Sequence, residues 1–211
     1  MLQTEDELDQ EMCSKYGSSC IRDGITNIEK FYKEKYQILW ILKEANAPDG
    51  NAWDMRHFHQ DVRSYNRWRQ TYQKIVQTSH GILNAIHDYN KIPESDDIVV
   101  DAMNSIAFIN VKKVGGGASS KWKVINQHYA DHKEFLHDQI EKISPNIIIN
   151  CSGVWQLFEN LSVSPIKASA PFHYSFDDNR LVINAYHPGE RRLGNVKYFD
   201  VIAKIRESSG W

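Results

Sequence analysis

Four stretches of strand length, residues 36–42, 105–111, 146–151 and 180–185, are apolar almost without interruption, and polar or glycine-bearing segments follow them. A continuous apolar run, unlike one that alternates, marks a strand covered on both faces. Helical patterns fall between and after these runs. Residues 126–143 carry Phe135, Leu136, Gln139, Ile140 and Ile143 on one face and stop before Ser144-Pro145; residues 153–161 and 196–207 form two further helices. Parallel strands need crossover connections, and those are right-handed and helical. The reading is therefore a three-layer α/β/α fold around a central four-stranded, mainly parallel sheet. Residues 172–176 read as an edge strand, and residues 165–170 as a loop.

The chain has 211 residues, about one and a half times the commonest domain size, so a single domain is expected. Residues 1–35 read as an N-terminal helical segment, with helices at 5–16 and 21–35, packed on a core formed by residues 36–211. Hydrophobic residues at 41% and charged residues at 25% place the chain among ordinary globular proteins. The net charge of −2 excludes a polycation that holds nucleic acid by bulk charge. That charge is uneven. The first eleven residues hold five acids and no Lys or Arg, so the remainder has 25 basic against 22 acidic residues. Lys112, Lys113, Lys121 and Lys123 follow the second strand with no acid among them.

No stretch is long and apolar enough for a membrane span, and the acidic start is unlike a secretory signal, so a cytoplasmic location without membrane contact is expected. The cysteines are Cys13, Cys20 and Cys151. Their odd count fits neither a disulfide framework nor a four-cysteine metal site. The Gly17-Ser18-Ser19 turn would allow a local pair of Cys13 with Cys20, but free thiols are the expectation. His128 and His132 share a helix face, with His137 beyond, and His57 and His59 lie two apart; these read as surface or packing histidines, and no metal or cofactor is expected.

Ligands of such sheets bind outside the carboxyl ends of the strands. Three of the four strands end there in unusual segments: residues 44–50, 110–117 and 187–189. Together they supply a carboxylate (Glu44), amides (Asn46, Asn110) and a histidine beside proline (His187-Pro188). A carboxylate orients water or stabilises a cation, an amide reads a donor–acceptor edge, and a neutral histidine donates to a developing oxyanion. This set suits hydrolysis of an N-glycosidic bond. Gly115-Gly116-Gly117 lacks the Lys-Ser/Thr ending of a phosphate loop and reads as a flexible loop. Residues 55–90 are helical in tone and rich in cations and aromatics, among them Arg63, Arg67 and Trp68.

The ordered set resembles the uracil-DNA glycosylase superfamily: Ile41-Leu42-Lys43-Glu44-Ala45-Asn46-Ala47-Pro48-Asp49-Gly50, Phe108-Ile109-Asn110-Val111-Lys112-Lys113, Ser144-Pro145-Asn146-Ile147-Ile148-Ile149 leading to Cys151-Ser152-Gly153, and Ala185-Tyr186-His187-Pro188-Gly189. The resemblance spans about residues 37–205. It implies that Glu44 or Asn46, two alternative registers, places the attacking water or stabilises the sugar cation. It further implies that Asn110 reads a flipped pyrimidine and that His187 donates to the departing base. Trp53 or Phe58 would stack on that base, and Pro48 and Ser152 would lie against the substrate. Lys112, Lys113, Lys121, Arg191, Arg192 and Leu193 would contact or enter the DNA, and the protein would act as a monomer. The same set also fits a catalytically inactive module that binds a nucleobase, a nucleotide or a partner. A third reading makes Ser152 a nucleophile with His187 as its base.

Overall fold

In the computed structural model, residues 5–47, 49–50, 52–58, 69–117 and 119–211 are described. They form one seven-stranded mixed sheet flanked by helices, in place of the four-stranded sheet expected. In chain order the elements are α1 (Glu5–Tyr16), β1 (Gly24–Ile25), α2 (Ile28–Lys33), β2 (Ile38–Asn46), α3 (Met55–Phe58), α4 (Arg69–Leu83), α5 (Asp96–Asn104), β3 (Ile106–Gly116), α6 (Trp122–Ile143), β4 (Ile147–Asn150), α7 (Trp155–Leu161), β5 (Lys167–Ser169), β6 (Phe172–Phe176), β7 (Leu181–Asn184) and α8 (Asn195–Ser209). The strand order is β1-β3-β2-β4-β7-β6-β5. The four apolar runs are the interior strands β3, β2, β4 and β7, all mutually parallel. The extra strands pair antiparallel: β1 and β5 are the edges of the sheet, whereas β6, expected as an edge strand, lies between β7 and β5 because the short β5 covers it. Two of them are too short or too polar to show in the apolar pattern: β1 has two residues, and β5 is a Lys-Ala-Ser triplet. The helix expected over 21–35 is accordingly shorter, because Gly24 and Ile25 pair with Phe108 and Ala107 and only residues 28–33 are helical.

Strand alternation divides the core between the two faces. Ile38, Trp40, Leu42, Ile147, Ile149, Leu181 and Ile183 face α4, α5 and α8, where Tyr72, Ile75, Met103, Tyr198 and Ile202 meet them. Leu39, Ile41, Ile109, Ile148 and Val182 face α2, α6 and α7, through Phe31, Tyr129, Leu136, Ile140, Leu157 and Phe158. Each such buried side chain contributes about 2 kcal/mol. Trp40 is wholly buried, and its indole N–H donates to Ser79 Oγ at 3.0 Å.

Cys13 and Cys20 form a disulfide, not the free thiols expected. It closes the turn between α1 and the β1 edge, where Cys20 bridges Val114 of β3. The third cysteine, Cys151, is free and buried, and burial pushes its thiol up to about 12. Among the described residues, no helix is long and apolar enough to cross a membrane, and no cluster of three or more His, Cys, Asp or Glu could hold a metal. His128 and His132 instead stack on each other, and His132 Nε2 meets the Tyr16 hydroxyl of α1 at 2.5 Å.

Candidate functional site

The strand ends extend further than their sequence shows. Parallel pairing of β2 with β3 continues past the apolar core, Glu44 opposite Lys112 and Asn46 opposite Gly116. Two residues of β2 thus span four of β3, and the excess is taken up as a bulge. The bulge explains the glycines better than a flexible loop does. A Cβ on Gly116 would lie 2.2 Å from the Glu44 carboxylate, and one on Gly115 would lie 2.5 Å from the Ala47 carbonyl.

Beside this bulge, at the carboxyl edge of the parallel strands, lies a cleft of about 850 Å³. Glu44, Asn46, Trp53, Asn110, His187 and Arg191 all line it, so residues from three strand ends and the segments after them meet in one place. Sequence reading missed other parts of the lining: Lys43, Met55, Gln70 and Thr71. Gln70 and Thr71 lie in the first turn of α4, and no spacing in the sequence ties that turn to the His-Pro segment.

His187 is fixed by the chain that follows it. The Gly189 N–H donates to His187 Nδ1 at 3.1 Å, so the neutral ring carries its proton on Nε2. Burial, with Lys43 and Lys74 nearby and Glu190 only partly opposing them, brings its pKa down to about 4. The imidazole is therefore neutral at physiological pH. Helix α4 holds this segment from below. Lys74, itself buried, donates to the Glu190 carbonyl at 2.6 Å, and the Gln70 amide donates to the Gly189 carbonyl at 3.2 Å.

Asn110 is 1% exposed. Its backbone N–H donates to Asp23 Oδ2 at 2.7 Å, and its Nδ2 approaches Met55 Sδ at 2.8 Å. The Asp23 carboxylate lies on the amide-nitrogen side, 3.5 Å from Nδ2, which leaves Oδ1 as a buried acceptor without a partner among the described residues. An unsatisfied buried acceptor costs about 1–3 kcal/mol, a cost that a ligand N–H would remove.

Glu44 is paired. Lys112 Nζ lies 2.5 Å from its Oε2 and also donates to the Gly115 carbonyl at 3.0 Å, and the two side chains are only 6% and 13% exposed. Asn46, at the same edge, is exposed. Trp53 is half-buried and packs on the core.

Several expected contacts are redirected. Lys113 does not face outward: it is 2% exposed, ion-paired with Asp23 at 2.5 Å and bonded to Gln139 Oε1 at 2.8 Å. Leu193 does not project from the surface but is part of the core, 5% exposed. Ser152 is buried off the cleft, its Oγ donating to Asn150 Oδ1 at 2.6 Å and accepting from the Val154 N–H, which leaves it no role as a nucleophile. Lys121 and Arg191 are exposed; Arg192 bonds Glu190 at 2.9 Å and lies over the Tyr186 ring. Phe58 is the last residue of α3. Pro48, His59, Arg63, Arg67 and Trp68 lie outside the described residues.

No model of a known protein family matches the chain, and no curated protein matches its sequence.

Proposed function

We propose that the cleft hydrolyses the N-glycosidic bond of uracil or another deaminated base flipped out of DNA, in a fold of the uracil-DNA glycosylase type. The observation that carries this reading is the neutral His187, with its proton on Nε2, lining the same cleft as Asn110, whose Oδ1 has no partner among the described residues.

In this scheme Asn110 Oδ1 accepts from a ring N–H of the base, and Trp53 covers the base's flat face. As the bond to C1′ lengthens, negative charge gathers on the base oxygen, and His187 Nε2–H donates to it. A neutral donor suits an anionic leaving group at neutral pH because no proton need be drawn from solvent first. Water adds to C1′, its surplus proton leaves to solvent, and the base departs as an anion. Of the two registers, the exposed Asn46 is the better holder of that water. Glu44 is held in an ion pair with Lys112 and is the less free of the two to hold it.

The test is release of free base from uracil-containing single- and double-stranded oligonucleotides. The wild type should release it, and His187→Ala should lower the rate about 100-fold or more. No release, or release undiminished in both His187→Ala and Asn110→Ala, overturns the reading. The Glu44–Lys112 pairing favours a second reading, a module of the same fold that binds a nucleobase or nucleotide without turnover; saturable nucleobase binding with no release of base would establish it.

A further inference from the structure

We propose that Trp122 is a stacking platform for single-stranded nucleic acid at the mouth of the cleft. The inference rests on the nucleic-acid reading of that cleft, but it concerns a surface outside the catalytic set.

Trp122 is 67% exposed, the highest value among the exposed large hydrophobic side chains described. It is the first residue of α6, and it shares a helix face with Ile125 and Tyr129, which are 2% and 1% exposed. The apolar seam of α6 thus runs one turn past the edge of the core. No aromatic ring of the described residues pairs with the indole there. Trp122 does not itself line the cleft, but Gly117, Ser119 and Ser120, two to five residues before it in the chain, do.

Charge decides what would cover it. Lys121 and Lys123 flank Trp122, and both are exposed. From residue 102 to residue 130 the sequence has no acid. Of the four lysines in that stretch, Lys112 is committed to Glu44 and Lys113 to Asp23. Lys121 and Lys123 are therefore the ones available to a ligand, and they are the immediate sequence neighbours of the exposed ring. Arg191, also exposed, lines the same cleft. An apolar protein partner would have to bury or displace both ammonium groups. A single strand satisfies the whole arrangement, with phosphates on the lysines and a base on the indole.

The test is binding of a labelled, uracil-free single-stranded oligonucleotide, read by anisotropy over a range of salt. Trp122→Ala should weaken binding about 5- to 150-fold, the loss of one base stack, and Trp122→Phe should restore most of it. Lys121→Gln/Lys123→Gln should flatten the salt dependence by roughly 1.4 in log–log slope, two single-strand phosphate contacts. Equal affinity of wild type and Trp122→Ala overturns the proposal, as does a loss confined to the lysine variant. Self-association of the wild type that Trp122→Ala removes, with no oligonucleotide binding, also overturns it and assigns the surface to a second copy of the chain. Because the probe carries no uracil, base release plays no part in this outcome. A failed glycosylase assay beside Trp122-dependent binding would remove the catalytic reading alone.

Discussion

The proton on His187 is set by one neighbour close in sequence and by burial that only the fold supplies. Gly189 fixes which nitrogen is free, and the cover of the segment, with Lys43 and Lys74, lowers the pKa to about 4. In the unfolded chain the same ring has its ordinary value near 6.5. Between those values the unfolded state binds more protons, so stability rises with pH across the window and is lost as pH falls from about 6.5 to 4. The contribution of this one residue is up to about 3 kcal/mol. His187→Gln, which cannot titrate, should lose that much less stability than wild type when urea midpoints at pH 7 and pH 4 are compared. Equal losses in the two proteins would mean that His187 is not buried in its neutral form. The other histidines with lowered values, His80, His128 and His137, are common to both proteins and cancel in the difference. His187 itself was legible in the sequence as a histidine beside proline at a strand end, whereas its tautomer and charge were not. Lys112 and Lys113 show the converse. They read as one basic pair facing phosphate, yet Asp23, 90 residues from Lys113, draws that side chain wholly inside. An ion pair between distant residues leaves no local pattern to read.

At the level of elements, the apolar runs located the parallel strands but misjudged where they end. Burial sets the hydrophobic pattern, and ladder pairing does not require it. Apart from Ala45 and Val114, residues 43–46 and 112–116 are polar or glycine, and they continue the β2 and β3 ladder past the apolar runs. The glycines there do a different job from the flexibility the sequence implied. Gly116 lets the Glu44 carboxylate lie flat against the bulge, while Gly117 has open space around it. The two positions therefore make a controlled pair. Gly116→Ala must push the Glu44 carboxylate off Lys112, at a cost of about 1–3 kcal/mol in stability, as in other overpacked sites, and with it the edge of the cleft. Gly117→Ala should change neither. Thermal melts and base release measured on both variants check this, and matching behaviour of the two would show that the contact between Glu44 and Gly116 does not shape the site.

For the whole molecule, the sequence placed the interior of the sheet and missed its borders. Edge strands such as β1 and β5 are held by their neighbours and need no apolar run of their own. The N-terminal region is tied in twice, once by the sheet and once by the disulfide. Gly24 and Ile25 pair with β3, and the Ile21 N–H donates to the Lys113 carbonyl at 2.8 Å. Helix α1 has looser ties: the buried Met12, the Tyr16–His132 contact and the Cys13–Cys20 bond. The two attachments should therefore separate under reduction. A disulfide closing so short a loop stabilises by about 2–3 kcal/mol through the entropy of the unfolded chain. For a chain of this size that is roughly 4–10 °C in Tm. Cys13→Ser/Cys20→Ser, or the wild type with a dithiol reductant, should show that fall, with faster amide exchange concentrated in α1. The cleft should keep its ligand affinity, because β1, the bulge and Asp23 behind Asn110 are held by hydrogen bonds that do not pass through the sulfurs. Exchange spreading into β3, or a loss of affinity on reduction, would mean instead that α1 and the cleft are one cooperative unit.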